Sequence, residues 1–208
     1  MNAKWPILTL EDIATQKGAV DGPFGSNLKA SYYTNSGIPV IRGSNLTVGT
    51  SRFNSEEFVY VCEEIFEKLI RSECRPNDII LTKKGTLGQT GLVPNDRKTE
   101  RCLLSSNQMR LRIDPKQASA EYVYYWVSSS WAIEKIKRDS EFTGVPKINL
   151  DYLKKFPIRL PPLEKQNAIV RMLRCLDNKI QLNHQINQTL KQMAQAIFKS
   201  WFVDFEPV

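Results

Sequence analysis

Residues 163–202 contain no proline and no glycine, and Pro161-Pro162 stands directly ahead of them. Proline suits the first turn of a helix and disrupts later ones, so the arrangement predicts one continuous α-helix of about 40 residues. At ~1.5 Å per residue this helix is about 60 Å long. A domain made from the roughly 160 residues before it cannot cover such a length with its own surface.

Ile169, Leu173, Leu176, Ile180, Asn183, Asn187, Leu190, Ala194, Ile197 and Trp201 recur along the stretch at alternating spacings of four and three. This is the a/d register of a coiled coil, held for more than four heptads. Asn183 and Asn187 are the polar positions and fall together at the centre. Buried asparagine costs stability and fixes register, so a central pair predicts an antiparallel partner helix. The competing arrangement is a surface helix lying on its own domain, with both asparagines in solvent. His184 lies beside the pair but off the seam, the position of an exposed polar residue.

Ahead of the double proline, the pattern predicts an irregular mixed α/β (α+β) domain over residues 1–160, with the helical unit over 161–208. Thr9, with Asp12 three residues on, predicts a capped short helix over 9–13. Residues 18–36 are turn-rich. Strands are predicted over 38–42, 58–61, 78–82, 91–93, 101–104 and 108–113; Pro39 places the first at an edge or a strand start. Met109, Leu111 and Ile113 alternate with Arg110 and Arg112, the period of a half-exposed strand. Helices are predicted over 63–70 and, from apolar spacing near 3.6, over 119–138.

Composition narrows the class. Hydrophobic residues make up 41% of the chain and charged residues 25%, the balance of a folded protein. No apolar run approaches the ~20 residues of a membrane span, and residues 1–6 have no signal-peptide core. The expected location is therefore the cytoplasm, with no membrane partner. There Cys62, Cys74, Cys102 and Cys175 are expected as reduced thiols, without a zinc-type CxxC pair. The single His184 excludes a histidine-rich metal site.

The formal charge is +7, from 29 Lys and Arg against 22 Asp and Glu. Residues 1–104 carry a net +1 and residues 105–208 a net +6. Residues 135–174 hold ten basic and four acidic groups. Such clustering is the footprint of a polyanion partner; a solvated surface is the alternative.

No catalytic constellation assembles. Gly85-Thr86-Leu87-Gly88-Gln89-Thr90-Gly91 follows a strand but lacks the Gly-Lys-Ser/Thr ending, and Leu92-Val93-Pro94 cannot open the helix that a phosphate loop requires. With Lys83 and Lys84 it forms a tight turn whose backbone can approach a DNA phosphate, or simply a hairpin. Asn77-Asp78 followed by Leu81-Thr82-Lys83 imitates a metal-dependent nuclease triad, but Leu81 stands where the second carboxylate is needed. Gly22-Pro23-Phe24-Gly25-Ser26-Asn27-Leu28-Lys29 is a second glycine loop, able to meet a sugar-phosphate backbone or to form a surface turn with Phe24 plugged inward. The chain reads as a binder.

In order along the chain, several stretches resemble the DNA-specificity (S) subunit of type I restriction–modification systems. They are the 22–29 loop, Gly37-Ile38-Pro39-Val40-Ile41-Arg42 with Asn45, Asn77-Asp78-Ile79-Ile80-Leu81-Thr82 leading to Gly85-Thr86-Leu87-Gly88, Tyr124-Tyr125-Trp126 and Lys147-Ile148-Asn149-Leu150. The more specific ones follow: Leu160-Pro161-Pro162-Leu163-Glu164-Lys165-Gln166, Leu176-Asp177-Asn178-Lys179-Ile180, and Ala196-Ile197-Phe198-Lys199-Ser200-Trp201-Phe202-Val203-Asp204-Phe205.

The resemblance implies a non-catalytic target recognition domain that reads a short half-site of double-stranded DNA, followed by a spacer helix. In a full subunit this unit occurs twice and the two helices form an antiparallel coiled coil. Modification (methyltransferase) subunits pack on it, and restriction subunits dock on them. S-adenosylmethionine, ATP and Mg are expected in those subunits, and no cofactor in this chain. With one domain and one helix, ending at Phe205-Glu206-Pro207-Val208, the chain is expected to be half a subunit, natural or shortened. It would act as a homodimer through the long helix on a palindromic, bipartite target. Lys29, Lys83, Lys84, Thr86 and basic groups of 135–155 such as Lys147 are the expected phosphate contacts. Arg42, Asn107, Gln108 and Arg110 are the candidate base readers, with Asn45 in the same set. The alternative is a coiled-coil scaffold protein without sequence-specific readout.

Overall fold

The computed structural model describes residues 5–47, 52–143 and 145–205. Residues 1–4 and the Glu206-Pro207-Val208 ending lie outside them. The chain divides into two compact units, Met1–Val170 and Arg171–Val208.

The first unit opens with β1 (Ile7–Thr9), β2 (Ala14–Asp21), β3 (Ile38–Ile41) and β4 (Val59–Val61), then α1 (Glu63–Lys68). Next come β5 (Glu73–Cys74), β6 (Ile79–Thr82), β7 (Thr90–Leu92), β8 (Cys102–Leu104) and β9 (Gln108–Ile113). Helices α2 (Ala120–Val127) and α3 (Ser130–Asp139), strands β10 (Glu141–Thr143) and β11 (Val145–Lys147), α4 (Leu150–Lys154) and β12 (Pro157–Arg159) complete it. The final helix, α5, runs Leu163–Lys199, and Ser200–Asp204 continues as a wider π-type turn.

Two four-stranded sheets form the frame, in the orders β2-β9-β6-β7 and β4-β3-β8-β5. Alternation assigns the side chains to three layers. Ile79 and Leu81 of β6, with Met109, Leu111 and Ile113 of β9, face α2, α3 and α4. Ile80 points the other way and meets Ile41, Cys74, Cys102 and Leu104 between the sheets. Val40 and Leu103 face Phe66 of α1 beyond the second sheet. A strand buried on both faces needs a nearly continuous apolar run, which is what β6 has.

Several local expectations change. Thr9 and Asp12 do exchange reciprocal bonds: Thr9 N–H donates to Asp12 Oδ2 at 2.8 Å and Asp12 N–H to Thr9 Oγ1 at 3.4 Å. They close a turn after β1 rather than a helix, because Leu10 and Ile13 are drawn fully into the core. The turn-rich region begins only after β2, a strand that the sequence pattern does not reveal. The predicted helix over 119–138 is two helices, since Ser129 breaks it and caps α3 by accepting from Ala132 N–H at 3.3 Å. The half-exposed reading of β9 also fails: Arg110 is buried between the sheets.

The start of α5 belongs to the first unit, ten residues past the expected boundary at 160. Gln166 is 1% exposed; it accepts from Ser119 N–H at 2.9 Å and donates to Pro161 O at 2.8 Å, so one amide ties the double proline to the start of α2. Val170 packs in the same core.

Candidate nucleic-acid interface

The topology brings separate sequence motifs to one rim. Because β2, β6 and β7 are antiparallel to their neighbours, Asp21, Gln108, Thr82 and Thr90 share one end of the first sheet. Strands β3 and β8 run parallel, with Ile41 opposite Leu104, and Ser105 N–H donates to Ile41 O at 3.0 Å. The loops after β2, β3, β6 and β8 therefore converge.

Contacts between the loops are mostly backbone. Lys83 and Lys84 N–H donate to Asn107 O at 2.8 and 3.4 Å. The β10–β11 hairpin docks on the same turn: Lys84 bridges Lys147, Gly85 N–H donates to Pro146 O at 3.1 Å, and Ile148 N–H to Lys83 O at 3.0 Å. Gly22 N–H donates to Gln108 O at 2.9 Å, and a Cβ at Gly22 would come 1.9 Å from Ser105 O, so only glycine permits this approach. Gly85 and Gly88 have φ of +106° and +92°, which a β-turn of ordinary residues would not tolerate.

Lys83, Lys84, Thr86, Asn107 and Lys147 thus share one rim, Lys83 half-buried and the others exposed, with Arg42 at the end of β3 beside it. Lys29 is exposed further along the 22–29 loop. Lys83 pairs with Asp21 at 3.1 Å, which holds its ammonium in place. Arg42 Nε is buried and has no hydrogen-bond partner among the described residues. The residue as a whole is half-buried.

Three of the candidate residues do not reach the surface. Asn45 is fully buried; it accepts from Arg42 N–H at 2.8 Å and donates to Asn54 O at 2.9 Å and Glu57 O at 3.4 Å, fixing the loop after β3. Gln108 is 3% exposed and accepts from Ser105 Oγ. Arg110 donates to Gly18 O and Lys17 O, each at 3.4 Å, and to Glu73 O. The Lys17 and Gly18 carbonyls become available because β2 bulges at Lys17, whose φ is +57°. Burial pushes the Arg110 pKa down from its ordinary value. All three side chains hold the scaffold of the rim, so none is placed to read a base edge.

Part of the basic run 135–174 is neutralised locally. Lys135 and Arg138 pair with Asp139 at 2.6 and 3.2 Å, and Lys154 pairs with Glu11 at 3.0 Å. Asp78, which imitated a nuclease carboxylate, is 1% exposed and accepts two 2.7 Å bonds from Arg112. Hydrogen bonding to Asp78 raises the Arg112 pKa. Cys74 and Cys102 are free and buried, and burial pushes the Cys102 thiol up to about 12. Neither thiol is an available nucleophile at neutral pH. Among the described residues no group of three His, Cys, Asp or Glu is placed to hold a metal ion, and no helix is long and apolar enough to cross a membrane.

A cleft of about 410 Å³ lies beside the rim, where Lys68 and Arg71 join Lys83. Phe24 stands at its edge, 81% exposed rather than plugged inward. Sequence reasoning misses Lys68 and Arg71 because no local signal marks them; they reach the cleft from the segment around α1.

In the second unit, the seam residues Ile180, Leu190, Ile197 and Trp201 are 39–56% exposed. The apolar face is wider than the two seam columns, for Met172, Leu182, Ile186 and Met193 are exposed beside them.

A family model described as the type I restriction modification DNA specificity domain matches residues 2–192. The HindI specificity subunit of Haemophilus influenzae is 34% identical over 142 residues, 67% of this chain and 28% of its own length. The MjaIX specificity subunit of Methanocaldococcus jannaschii is 28% identical over 212 residues, 98% of this chain and 45% of its own. The solved S subunit from M. genitalium shares the fold with a TM-score of 0.63 at 18% identity, covering 98% of this chain and 48% of that one. The chain spans less than half the length of these relatives. From the family match over residues 2–192, supported by the two-sheet fold and the long helix that follows it, the chain belongs to the type I restriction–modification DNA specificity family.

Proposed function

We propose that the chain is a non-catalytic DNA reader that directs modification and restriction subunits of a type I system to their target. The observation that carries this reading is the convergence of Lys83, Lys84, Asn107 and Lys147 on one rim beside Arg42, in a member of this family. In this reading lysines there hold phosphates and set register, while Arg42 and Asn107 read base edges. Lys68 and Arg71 extend the cationic surface along the backbone of the DNA.

The exposed seam supports pairing with a second copy, antiparallel about Asn183 and Asn187. A two-fold dimer matches a two-fold site, so the target is bipartite and palindromic with an uncontacted spacer set by the helix. The extra apolar stripe at Met172, Leu182, Ile186 and Met193 leaves room for modification subunits on the same helix. S-adenosylmethionine, ATP and Mg act in those subunits. Sequencing the methylation pattern laid down by this chain with its modification subunit tests the reading. A palindromic bipartite motif is expected. A non-palindromic motif overturns the homodimer, and methylation without sequence preference favours a scaffold role.

A further inference from the structure

Three of the four tryptophans line one open apolar groove in the first unit. Its volume is about 530 Å³, and its walls are Trp5, Ile7, Trp126, Trp131 and Pro157, with Arg159 at one side. Trp5, Ile7 and Trp131 are 40%, 64% and 50% exposed. The groove is held in shape from beneath. Trp126 Nε1 donates to Pro157 O at 2.9 Å, Trp131 packs 5.4 Å from Trp126, and Tyr122 donates to Arg159 O at 2.7 Å. A preformed pocket rich in aromatic residues marks an interface rather than a solvated surface.

The other exposed aromatic cluster lies in residues 198–205. Phe198 and Phe202 stack at 5.1 Å, and Phe198, Trp201, Phe202 and Phe205 are 60%, 52%, 62% and 79% exposed. The seam register decides where this cluster goes in an antiparallel pair. Setting Asn183 against Asn187 of a second copy places Ile180 against Leu190, Leu176 against Ala194, Leu173 against Ile197, and Trp201 against Ile169, which also packs on the core of the first unit. Every layer then matches an a with a d position, which is how antiparallel helices interlock. Phe202 and Phe205 of the second copy continue past Ile169 toward Leu163. There β12, one wall of the groove, leads into the helix within four residues.

We infer that the tryptophan groove receives the 198–205 aromatic segment of a second copy of this chain, locking each recognition domain onto the partner's helix end. This rests on the homodimer proposed above. Arg159 at the groove side also complements Asp204 within the segment, whose carboxylate pairs loosely with Lys199 at 3.7 Å in the single chain. Aromatic side chains bury roughly 150–250 Å² each, so the two contacts add to the area buried along the seam and complete an interface that the seam begins. The consequence is functional: a domain clamped at both helix ends presents its half-site at a fixed distance and angle.

The test uses the full chain carrying Trp201→Phe, whose remaining indoles all lie in the groove. Sedimentation over a concentration series gives the dimer constant, and acrylamide quenching reports groove exposure in the same samples. Dimerisation is expected to lower the quenching constant about twofold, and adding Phe202→Ala with Phe205→Ala to raise the dimer Kd about tenfold and restore quenching. A dimer with unchanged quenching, or with Kd unaffected by the two alanines, overturns the groove contact while keeping the homodimer. A parent chain, with Trp201 intact, that stays monomeric at every concentration overturns the homodimer itself.

Discussion

The same residue types have opposite environments in the two units. Ile79, Leu111 and Phe66 are fully buried in the first unit, whereas Ile180, Leu190 and Phe198 are 39%, 56% and 60% exposed in the second. The first unit satisfies its apolar pattern within its own chain, through two sheets whose strands alternate between layers. The second has a pattern of equal regularity and no layer of its own to bury it. The difference separates a domain that buries its own apolar residues from a helix that leaves them exposed.

The largest effect expected is on the first unit alone. Asp78→Ala leaves Arg112 facing a buried gap and should destabilise the domain by about 3–5 kcal/mol in urea unfolding. A loss below about 1 kcal/mol would mean that this ion pair is not part of the scaffold. Next, Ile180→Asp with Leu190→Asp puts charge into the seam. Self-association should weaken at least ~100-fold, about 2.7 kcal/mol, by sedimentation. The stability of the domain should stay within about 0.5 kcal/mol of the parent. A joint loss of both would show that the two units do not separate energetically.

A smaller effect, about tenfold, is expected for Lys83→Ala with Lys84→Ala in DNA binding by the chain assembled with its modification subunit. The loss should be uniform across sequences, and the salt slope should fall by about 2. An unchanged slope would move the phosphate contacts away from this turn. The smallest effect is on acid stability. Hydrogen bonds from Lys135 and, to a lesser degree, from Tyr152 and Arg138 lower the Asp139 pKa. A depressed carboxylate stabilises the fold above its unfolded pKa, and that contribution is lost as pH falls through the lowered value. Asp139→Asn should therefore reduce stability slightly near neutrality and flatten its decline below about pH 4. An identical decline in both proteins would count against the pairing.

Regular periodicity makes some elements legible in the amino-acid sequence. The apolar run of β6, the alternation in β9 and the long helix are all visible there, since each repeats over several residues. Strand β2 is not, because Lys17 and Gly18 interrupt it with a bulge and shift its register against β9. Within the rim, Lys83, Lys84 and Lys147 are legible as surface groups. Arg110 and Gln108 are misread as such, because a strand's period shows which residues share a face but not whether that face meets solvent or a second sheet.

The sequence by itself determined the long helix and the spacing of its apolar residues about Asn183 and Asn187. These depend on spacing along one chain, which a sequence displays directly. Only the tertiary structure decided which cations gather at the rim, why Asn45 and Arg110 belong to the scaffold, and that Trp5, Trp126 and Trp131 share a groove. Each of those depends on contacts between residues far apart along the chain. Sheet order and strand direction set them, and no local pattern encodes either.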